Sequence, residues 1–411
     1  MDDLLTRIEA ENPRLRAFVD EPDRRERLRR DLDHLAQRWP DPSDRPPLFA
    51  LPVAVKDVFH VAGLPTRAGS RLPAELITGE PGPLITSLLD AGAVVLGKTV
   101  TAEFAFLAPG ETRNPHRLEH SPGGSSSGSA AAVAAGLAPI ALGTQTVGSV
   151  IRPAAYCGIL GFKPTFGRIG SEGVIANAPT FDTVGFLAAD SDVLVRVAAA
   201  TLPDWQPTDS AALPTLVVPR GAYLDQAEPV AHTAFERHLD VLREVGYQVH
   251  DVEMLDDIEQ VNQRNFVING YELARSHDAW FDDHAVLYHP RTAAAIRDGR
   301  TIDRRDYEAA LRERAVFADA LMAALAGIDA YVAPAATGPA PHGLDTTGSP
   351  LMNLPWTQAR LPVLGLPAGR TDDGLPLGVQ FAAAPGRDEA LLGWAAGLVA
   401  ALAKGHHGPS A

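Results

Sequence analysis

Helix-like and strand-like segments alternate along most of the chain, and this alternation restricts the fold more than any other feature. LITSLLDAG is followed by AVVLGK, SAAAVAAG by APIALGT, and HTAFERHLDVLREVG by YQVHDVE. Short turns separate the members of each pair, as is typical of α/β proteins. The sequence therefore predicts an α/β fold, with a large twisted mixed and mostly parallel β-sheet covered by helices on both faces.

The domain organisation follows from one strand near the end of the chain. The segment 201–214 resembles an internal linker, and a second domain beginning there is an alternative. The strand-like segment 374–381 has no partner, however, unless it returns to the first sheet. We therefore predict a single domain over 1–411, with N-terminal helices of about 1–40 packed on the core and the main motifs within 52–186.

The charge balance argues against polyanionic partners. The chain has 51 acidic and 36 basic residues, a net charge of −15, and no dense cluster of Lys and Arg. Nucleic acids and anionic membranes need cations that replace the counterions of phosphates. The weakly polar runs near 129–143 and 390–403 fall short of the roughly 18 residues that span a bilayer. We expect neither a nucleic-acid nor a membrane partner.

Cysteine use and the N-terminal segment point to a cellular compartment. A single cysteine, Cys157, cannot form a disulfide within the chain, and we expect it to be a buried packing residue. The segment MDDLLTRIEAEN lacks the basic and then apolar pattern of a secretory signal. The prediction is a cytoplasmic protein.

Lysine is scarce in this chain. The 36 basic residues are 32 arginines and four lysines, at positions 56, 98, 163 and 404. Arginine keeps its proton in proteins, whereas a lysine can be desolvated into a neutral base, so each lysine is a candidate for chemistry. Lys98 and Lys163 fall in apparent turns, LGKT and GFKPT, and are predicted to be structural. Lys56 ends an apolar run, LFALPVAVK, and is the stronger candidate.

Two turns rich in Gly, Ser and Thr lie between these elements. SPGGSSSGSAAAVAAG (121–136) contains a G-x-S-x-G match at 124–128 but no hydrophobic strand before it, and it lacks the P-loop spacing. GTQTVGSVIRP (143–153) follows the strand-like segment PIALG. Successive backbone N–H groups in such a turn can converge as an oxyanion hole, beside which Ser149 would lie.

A serine nucleophile needs a base. None of the thirteen histidines lies in a glycine-rich turn or has H-E-x-x-H spacing, so metal-assisted hydrolysis and a Ser-His-Asp triad both lack support. Lys56 is the better base. Lowering its pKa from about 10.4 to about 7 costs roughly 4.6 kcal/mol, which burial can supply.

Six segments, covering most of the chain in order, resemble the amidase signature family. The 24-residue interval from Ser125 to Ser149 and the upstream Lys56 agree with the Ser-Ser-Lys arrangement of that family. The matching segments are PVAVKDVFHVAGLPTRAGS (52–70), GAVVLGKTVTAEFAF (92–106), SPGGSSSGSAAAVAAG (121–136), ALGTQTVGSVIRPAAYCGILGFKPTFG (141–167), FDTVGF (181–186) and GLPLGVQF (374–381).

The resemblance implies the amidase signature fold and a role for each matching residue. Ser149 would attack the amide carbonyl, Ser125, held after a cis peptide bond, would relay the proton, and Lys56 would be the terminal base. No metal or organic cofactor is implied, and a homodimer would be typical. The oxyanion hole would consist of backbone N–H groups of Thr146, Val147, Gly148 and Ser149.

Two departures from the family pattern concern the nucleophile turn. Where the usual pattern is G-T-D-T-G-G-S, this chain has Gln145 in place of the acid and Val147 in place of a glycine. The arginine that follows, Arg152, lies three positions after Ser149, whereas many members of the family have it at two. With TTGSPLMNLPWT (346–357), this form is most similar to small bacterial malonamidase-like amidases. The displaced arginine can bind a substrate carboxylate in that subgroup. A structural ion pair of Arg152 is the alternative.

We therefore expect hydrolysis of a small linear carboxylic amide to a carboxylate and ammonia or an amine. Two alternatives stay open. One is a glutaminase-like A subunit of an aminoacyl-tRNA amidotransferase, and the other is a non-catalytic homologue that acts as a binding protein. Asp57 and Asp182 are expected either to support Lys56 and the active-site loop or to cap turns.

Overall fold

The computed structural model describes residues 1–208 and 212–404, in which ten strands form one sheet. Its strand order is β2-β1-β3-β5-β4-β9-β10-β8-β6-β7. The strands are β1 Pro52–Lys56, β2 Val94–Thr99, β3 Ile140–Gln145, β4 Leu160–Lys163, β5 Thr183–Ala188, β6 Leu216–Arg220, β7 Val249–Glu253, β8 Ala330–Pro334, β9 Val363–Arg370 and β10 Pro376–Ala383.

The sheet is mixed, as predicted, but its middle is antiparallel. β1 runs parallel to β2 and β3, and β6 runs parallel to β7 and β8. The five ladders between these two ends are antiparallel, so the expectation of a mostly parallel sheet was wrong. The turn at residues 371–375 shows one reason. It joins β9 to β10 and is too short for the crossover that a parallel pair needs.

Helices cover both faces of the sheet. α5 and α6 contact each other and the central strands, while α7, α8, α14 and α15 form a second connected group. The α-helices are α1 Asp2–Leu15, α2 Arg24–Arg38, α3 Ala74–Ile77, α4 Pro83–Asp90, α5 Ser127–Ala134, α6 Ile151–Cys157, α7 Ser191–Thr201, α8 Pro229–Val245, α9 Ile258–Ser276, α10 Phe281–His284, α11 Pro290–Arg300, α12 Arg304–Ala324, α13 Leu354–Gln358, α14 Asp388–Gly393 and α15 Ala395–Lys404. Short 3-10 helices lie at Pro42–Asp44, Glu103–Ala105, Leu224–Gln226, Ala285–Leu287 and Leu351–Asn353.

The N-terminal helices cover one edge of the sheet. α2 packs beside β2 and buries Leu28 completely. The Arg27 guanidinium donates to the backbone oxygens of Val95 (2.8 Å) and Leu96 (3.4 Å). An edge strand has unpaired backbone groups that can template aggregation. Arg27 therefore donates hydrogen bonds to two backbone carbonyls of the edge strand β2.

The C-terminal strands return to the first sheet. β10 pairs with β9, and β9 pairs with β4, so the strand expected at 374–381 finds its partners. Residues 209–211 of the linker-like segment 201–214 lie outside the described part of the chain. The single domain stays a prediction, which the continuity of the sheet supports. In the described residues, no helix is long and apolar enough to cross a membrane.

Candidate active site

Two neighbouring strands bring the predicted site residues together. β1 ends at Lys56 and runs parallel to β3, which ends at Gln145, so both carboxyl ends lie at the same edge of the sheet. Ser149 lies in the turn between β3 and α6, and Ser125 lies in the loop that enters α5. This edge is where α/β proteins commonly bind ligands.

Lys56 is completely buried. Its Nζ lies 2.8 Å from Ser125 Oγ, 2.7 Å from Thr144 Oγ1 and 3.4 Å from the Thr144 backbone oxygen. In the described part of the chain, no carboxylate forms an ion pair with this amine. Burial lowers the pKa of Lys56 to about 7, although the charge of Asp182 opposes the shift. An amine with this pKa is partly neutral near pH 7.

Ser125 is fixed by its backbone as well as by Lys56. The Gly124–Ser125 peptide bond is cis, as the resemblance implies. The Ser125 carbonyl accepts hydrogen bonds from the Ala102 backbone N–H and from Thr101 Oγ1, each at 3.1 Å. The side chain is 1% exposed. These contacts hold Ser125 Oγ beside the lysine amine.

Ser149 faces a cavity of about 470 Å³. This volume is in the range of small-molecule sites. Its hydroxyl makes no hydrogen bond with any described residue, so contact between the two serine hydroxyls is not formed. The structure thus joins Lys56 to Ser125 and places Ser149 on the cavity wall, free to meet a ligand.

The turn after β3 leaves its backbone donors unused. The N–H groups of residues 146–149 donate to no protein acceptor among the described residues. Val147 is absent from the described non-glycine residues with positive φ, so its β-branched side chain fits the turn without strain. A side chain does not fit at position 148 in the same way, because a Cβ on Gly148 would lie 2.2 Å from Asn353 Oδ1.

Asp182 supports this turn. Its Oδ1 accepts a hydrogen bond from Thr146 Oγ1 at 2.6 Å, and its Oδ2 accepts from the backbone N–H groups of Asn177 (2.7 Å) and Ala178 (3.0 Å). Such charge-assisted hydrogen bonds are stronger than neutral ones. Asp182 therefore anchors the turn and acts on Lys56 only through its charge.

Two other lysines lie in strands and not in the turns that the sequence predicted. Lys98 lies in β2 and forms a buried ion pair with Asp57, with 2.8 Å between Nζ and Oδ1. Lys163 lies in β4 and donates to the Pro164 backbone oxygen at 2.7 Å. Both therefore belong to strands, which corrects the placement in turns. Asp57 pairs with Lys98 and not with Lys56.

Arg152 lies at the same cavity as Ser149. It is 4% exposed, and its Nη2 donates to the Gly124 backbone oxygen (2.6 Å) and to Thr347 Oγ1 (3.2 Å). Its Nε has no hydrogen-bond partner within the described residues, and no carboxylate there forms an ion pair with it. Burial lowers the pKa of Arg152 to about 10. The structural ion pair considered from the sequence is therefore not found within residues 1–208 and 212–404.

The rest of the cavity wall combines apolar and amide side chains. Phe266 is 56% exposed at the wall and is joined by Leu107. Asn265 and Asn269 lie one helical turn apart on α9, and their side-chain carbonyl oxygens have no hydrogen-bond partner among the described residues. The cavity therefore offers a cation, amide groups and apolar surface near Ser149.

Two threonines at the site were missed from the sequence. Thr144 binds the lysine amine, and Thr357 Oγ1 donates to the Val147 backbone oxygen at 2.7 Å. Thr144 lies inside the matched segment 141–167, where its place before Gln145 was the available signal. Thr357 is 210 residues from its partner, and no local pattern marks such a contact.

Comparison with known proteins assigns the family. The family model described as Amidase matches residues 1–392. The A subunit of glutamyl-tRNA(Gln) amidotransferase from Roseiflexus castenholzii is 39% identical, over 62% of this chain and 56% of its own length, so the match spans little more than half of that relative. The protein of the same name from Geobacter metallireducens is 29% identical, over 95% of this chain and 90% of its own.

Solved structures are similar over nearly the whole chain. A crystal structure of an amidase is 31% identical with a TM-score of 0.89, covering 98% of this chain and 95% of its own. A peptide amidase in complex with the competitive inhibitor chymostatin is 27% identical with a TM-score of 0.83, covering 100% and 94%. The sheet, the arrangement of Lys56 and Ser125, and these matches lead to one conclusion: the chain belongs to the amidase family.

Proposed function

We propose that this protein hydrolyses a small linear carboxylic amide to a carboxylate and ammonia or an amine, through an acyl-enzyme on Ser149. The observation that carries the proposal is the Lys56 amine, which is buried, has a pKa lowered to about 7 and lies 2.8 Å from Ser125 Oγ. A base with a pKa near the working pH is the most effective proton acceptor.

The hydrogen bonds around Lys56 suit a neutral amine. A neutral amine has two N–H donors and one lone pair. The donors match Thr144 Oγ1 and the Thr144 backbone oxygen, so in the proposed relay the lone pair is left to accept the proton of Ser125 Oγ, 2.8 Å away. In this arrangement Ser125 keeps an oxygen lone pair for the proton of Ser149. A charged lysine would instead donate to Ser125 and block the relay.

The reaction proceeds in two halves. Ser149 Oγ attacks the amide carbonyl while its proton passes to Ser125 Oγ and the Ser125 proton passes to Lys56. The relay then returns a proton to the departing nitrogen, which leaves as ammonia or an amine. Water attacks the acyl-enzyme by the same relay, releases the carboxylate and restores Ser149.

The unused N–H groups of the turn supply the electrostatic part of catalysis. Thr146, Val147, Gly148 and Ser149 would hold the oxyanion, and each donor stabilises the transition state by roughly 3 kcal/mol. The step that needs movement is contact of Ser149 Oγ with Ser125 Oγ. Catalytic hydrogen bonds commonly tighten only when substrate is bound.

The surroundings of Arg152 favour a substrate that carries a carboxylate. A guanidinium that is almost fully buried, without an ion pair in the described residues, needs an anionic partner to offset its desolvation. A carboxylate at a fixed distance from the amide, as in malonamate, would place the carbonyl at Ser149. Arginine binds such groups through two parallel hydrogen bonds.

The role of Arg152 is tested with Arg152→Lys and two substrates. Lysine keeps the charge but loses the planar pair of donors. We expect the KM for malonamate to rise about 10-fold to 100-fold, and the KM for a neutral amide of similar size to change less than about threefold. An unchanged KM for malonamate would show that Arg152 does not bind the carboxylate.

The nucleophile is tested with a fluorophosphonate probe and intact-mass measurement. We expect one adduct on the parent protein at Ser149, no adduct on Ser149→Ala, and full labelling of Ser43→Ala, in which an exposed serine is changed. Release of ammonia from a panel of amides, with Lys56→Ala as the blank, then identifies the substrate. A parent protein with neither adduct nor turnover would support the non-catalytic binding protein instead.

A second candidate is the A subunit of an aminoacyl-tRNA amidotransferase. It is favoured by the names of the relatives from Roseiflexus castenholzii and Geobacter metallireducens. The net charge of −15 argues against direct contact with tRNA. Stable co-purification of a tagged chain with a second polypeptide would support this candidate. Light scattering of the same preparation would test the predicted homodimer. Cytoplasmic localisation stays a prediction.

A further inference from the structure

The side chain of Gln145 connects the end of the nucleophile turn to α13. It is completely buried, and its Oε1 accepts hydrogen bonds from the backbone N–H groups of Val150 (3.0 Å) and Ile151 (3.1 Å). Its Nε2 donates to Thr357 Oγ1 at 3.2 Å. One side chain therefore fixes the start of α6 and also contacts a residue of α13.

Thr357 carries this contact back to the turn. A hydroxyl has a single proton to donate. Because the Gln145 amide already donates to Thr357 Oγ1, that oxygen acts as acceptor there and donates its own proton to the Val147 backbone oxygen at 2.7 Å. Thr357 is 2% exposed, so water does not compete for either bond.

This hydrogen bond determines where the next N–H points. In a planar trans peptide the C=O and N–H groups point in opposite directions. Holding the Val147 oxygen toward Thr357 therefore directs the Gly148 N–H to the opposite side of the turn. Asn353 packs against Gly148, because a Cβ at that position would lie 2.2 Å from its Oδ1. The peptide is thus held at both of its ends.

We infer that Thr357 is a positioning residue for the oxyanion hole, and that the neutral amide of Gln145 directs its hydroxyl. The inference depends on the proposed function, in which the Gly148 N–H binds the oxyanion. A carboxylate at position 145 has no donor and would accept the Thr357 proton, in competition with the Val147 oxygen. The amide at this position is therefore required for the clamp formed by Gln145, Thr357 and Val147.

The first test compares Thr357→Val, which keeps the shape but removes the hydroxyl, with Thr357→Ser, which keeps the hydroxyl. Removing an oxyanion donor costs about 100-fold to 1,000-fold in kcat, so misorienting one is expected to cost about 10-fold to 100-fold. KM should stay within about twofold, because the substrate carbonyl gains this contact only in the transition state. Thr357→Ser should retain most of the parent kcat.

A matched control and a second readout separate positioning from folding. Thr292→Val changes another fully buried threonine, whose hydroxyl has no partner among the described residues, and should leave kcat unchanged. A boronic acid that adds to Ser149 mimics the tetrahedral state, and a product carboxylate mimics the ground state. In Thr357→Val the affinity for the boronic acid should fall by the same factor as kcat, while the affinity for the product carboxylate should stay the same.

Gln145→Glu tests the direction of the hydroxyl without altering α13. We expect a similar loss of kcat, and the double variant Gln145→Glu with Thr357→Val should be no slower than Thr357→Val alone. If Thr357→Val fails to fold, Gln145→Glu alone carries the test.

Two results would overturn the inference alone. In the first, the parent enzyme is active and either Thr357→Val or Gln145→Glu has the same kcat as the parent. In the second, Thr357→Ser has a kcat as low as that of Thr357→Val. A parent protein without a Ser149 adduct and without turnover would overturn the proposed function, and this inference with it.

Discussion

At the scale of single residues, the main chemical property of the site follows from where one amine lies. Lys56 ends a buried strand, and its contacts are a serine and a threonine instead of a carboxylate. Burial without a close opposite charge disfavours the ammonium form. The structure thus places Lys56, the lysine that the sequence favoured as a base, in surroundings that lower its pKa.

We expect the activity to depend on the charge of Lys56. Its pKa is lowered to about 7, so the ammonium form, which cannot accept a proton, dominates below that pH. The value of kcat/KM should rise about tenfold per pH unit below pH 7 and level off above it, because this ratio reports the free enzyme. Stopped assays of ammonia release between pH 5 and 9 measure the profile.

Lys163 provides the matched control for this profile. Burial also lowers its pKa to about 7, but its amine donates to the Pro164 backbone oxygen and contacts no serine hydroxyl of the described residues. A folded Lys163→Met variant should keep the inflection near pH 7. If the inflection disappears in Lys163→Met, or if activity is flat down to pH 5, Lys56 is not the base that limits the rate.

At the scale of elements, the sequence predicted local features better than strand direction. The end of β1 at Lys56 follows local periodicity, and so does the helix-like segment HTAFERHLDVLREVG, which forms most of α8. The antiparallel middle of the sheet does not, because strand direction depends on which distant strands pair. The same applies to the site. Ser125 and Ser149 lie in recognisable turns, whereas Thr357 acts across 210 residues.

The protected edge of the sheet gives a prediction about stability. Arg27→Met keeps an apolar stem but removes the donors to the Val95 and Leu96 oxygens, together with the ion pairs that Arg27 forms with Glu21 and Asp31. Hydrogen bonds to charged groups contribute about 1.5–3 kcal/mol, so the free energy of unfolding should fall by about that amount. Urea denaturation followed by circular dichroism measures it.

Arg29→Met is the control on the same helix. Arg29 is 62% exposed and lies 3.8 Å from Asp2, and such surface pairs contribute little. Its loss should change the free energy of unfolding by less than about 0.5 kcal/mol. Equal stability of the Arg27→Met variant and the parent would show that α2 covers the edge without those hydrogen bonds.

At the scale of the whole molecule, surface cations are almost all arginines. Lys56, Lys98 and Lys163 are buried, and Lys404 is exposed at the end of α15. An acylating reagent needs access to the amine, so we expect rapid acetylation of the native protein only at Lys404 and at the N-terminal amine. Unfolding in urea should expose the three buried lysines.

Intact-mass measurement and peptide mapping after brief treatment with acetic anhydride check this pattern. Rapid acetylation of Lys98 in the native protein would contradict its buried ion pair with Asp57. The side chain of Lys98 is 5% exposed and that of Asp57 is 2% exposed. Labelling at Lys56 under the same conditions would place its amine in contact with solvent, which is incompatible with the proposed base.

The distance along the chain between Val147 and Thr357 has a consequence for biosynthesis. The ribosome completes Lys56 and both serines long before it reaches the residue that holds the Val147 oxygen. A polypeptide that ends before Thr357 would therefore carry the proposed nucleophile without the residue that we infer to orient the oxyanion donors. On the proposed function, hydrolysis then requires synthesis of the chain at least as far as Thr357.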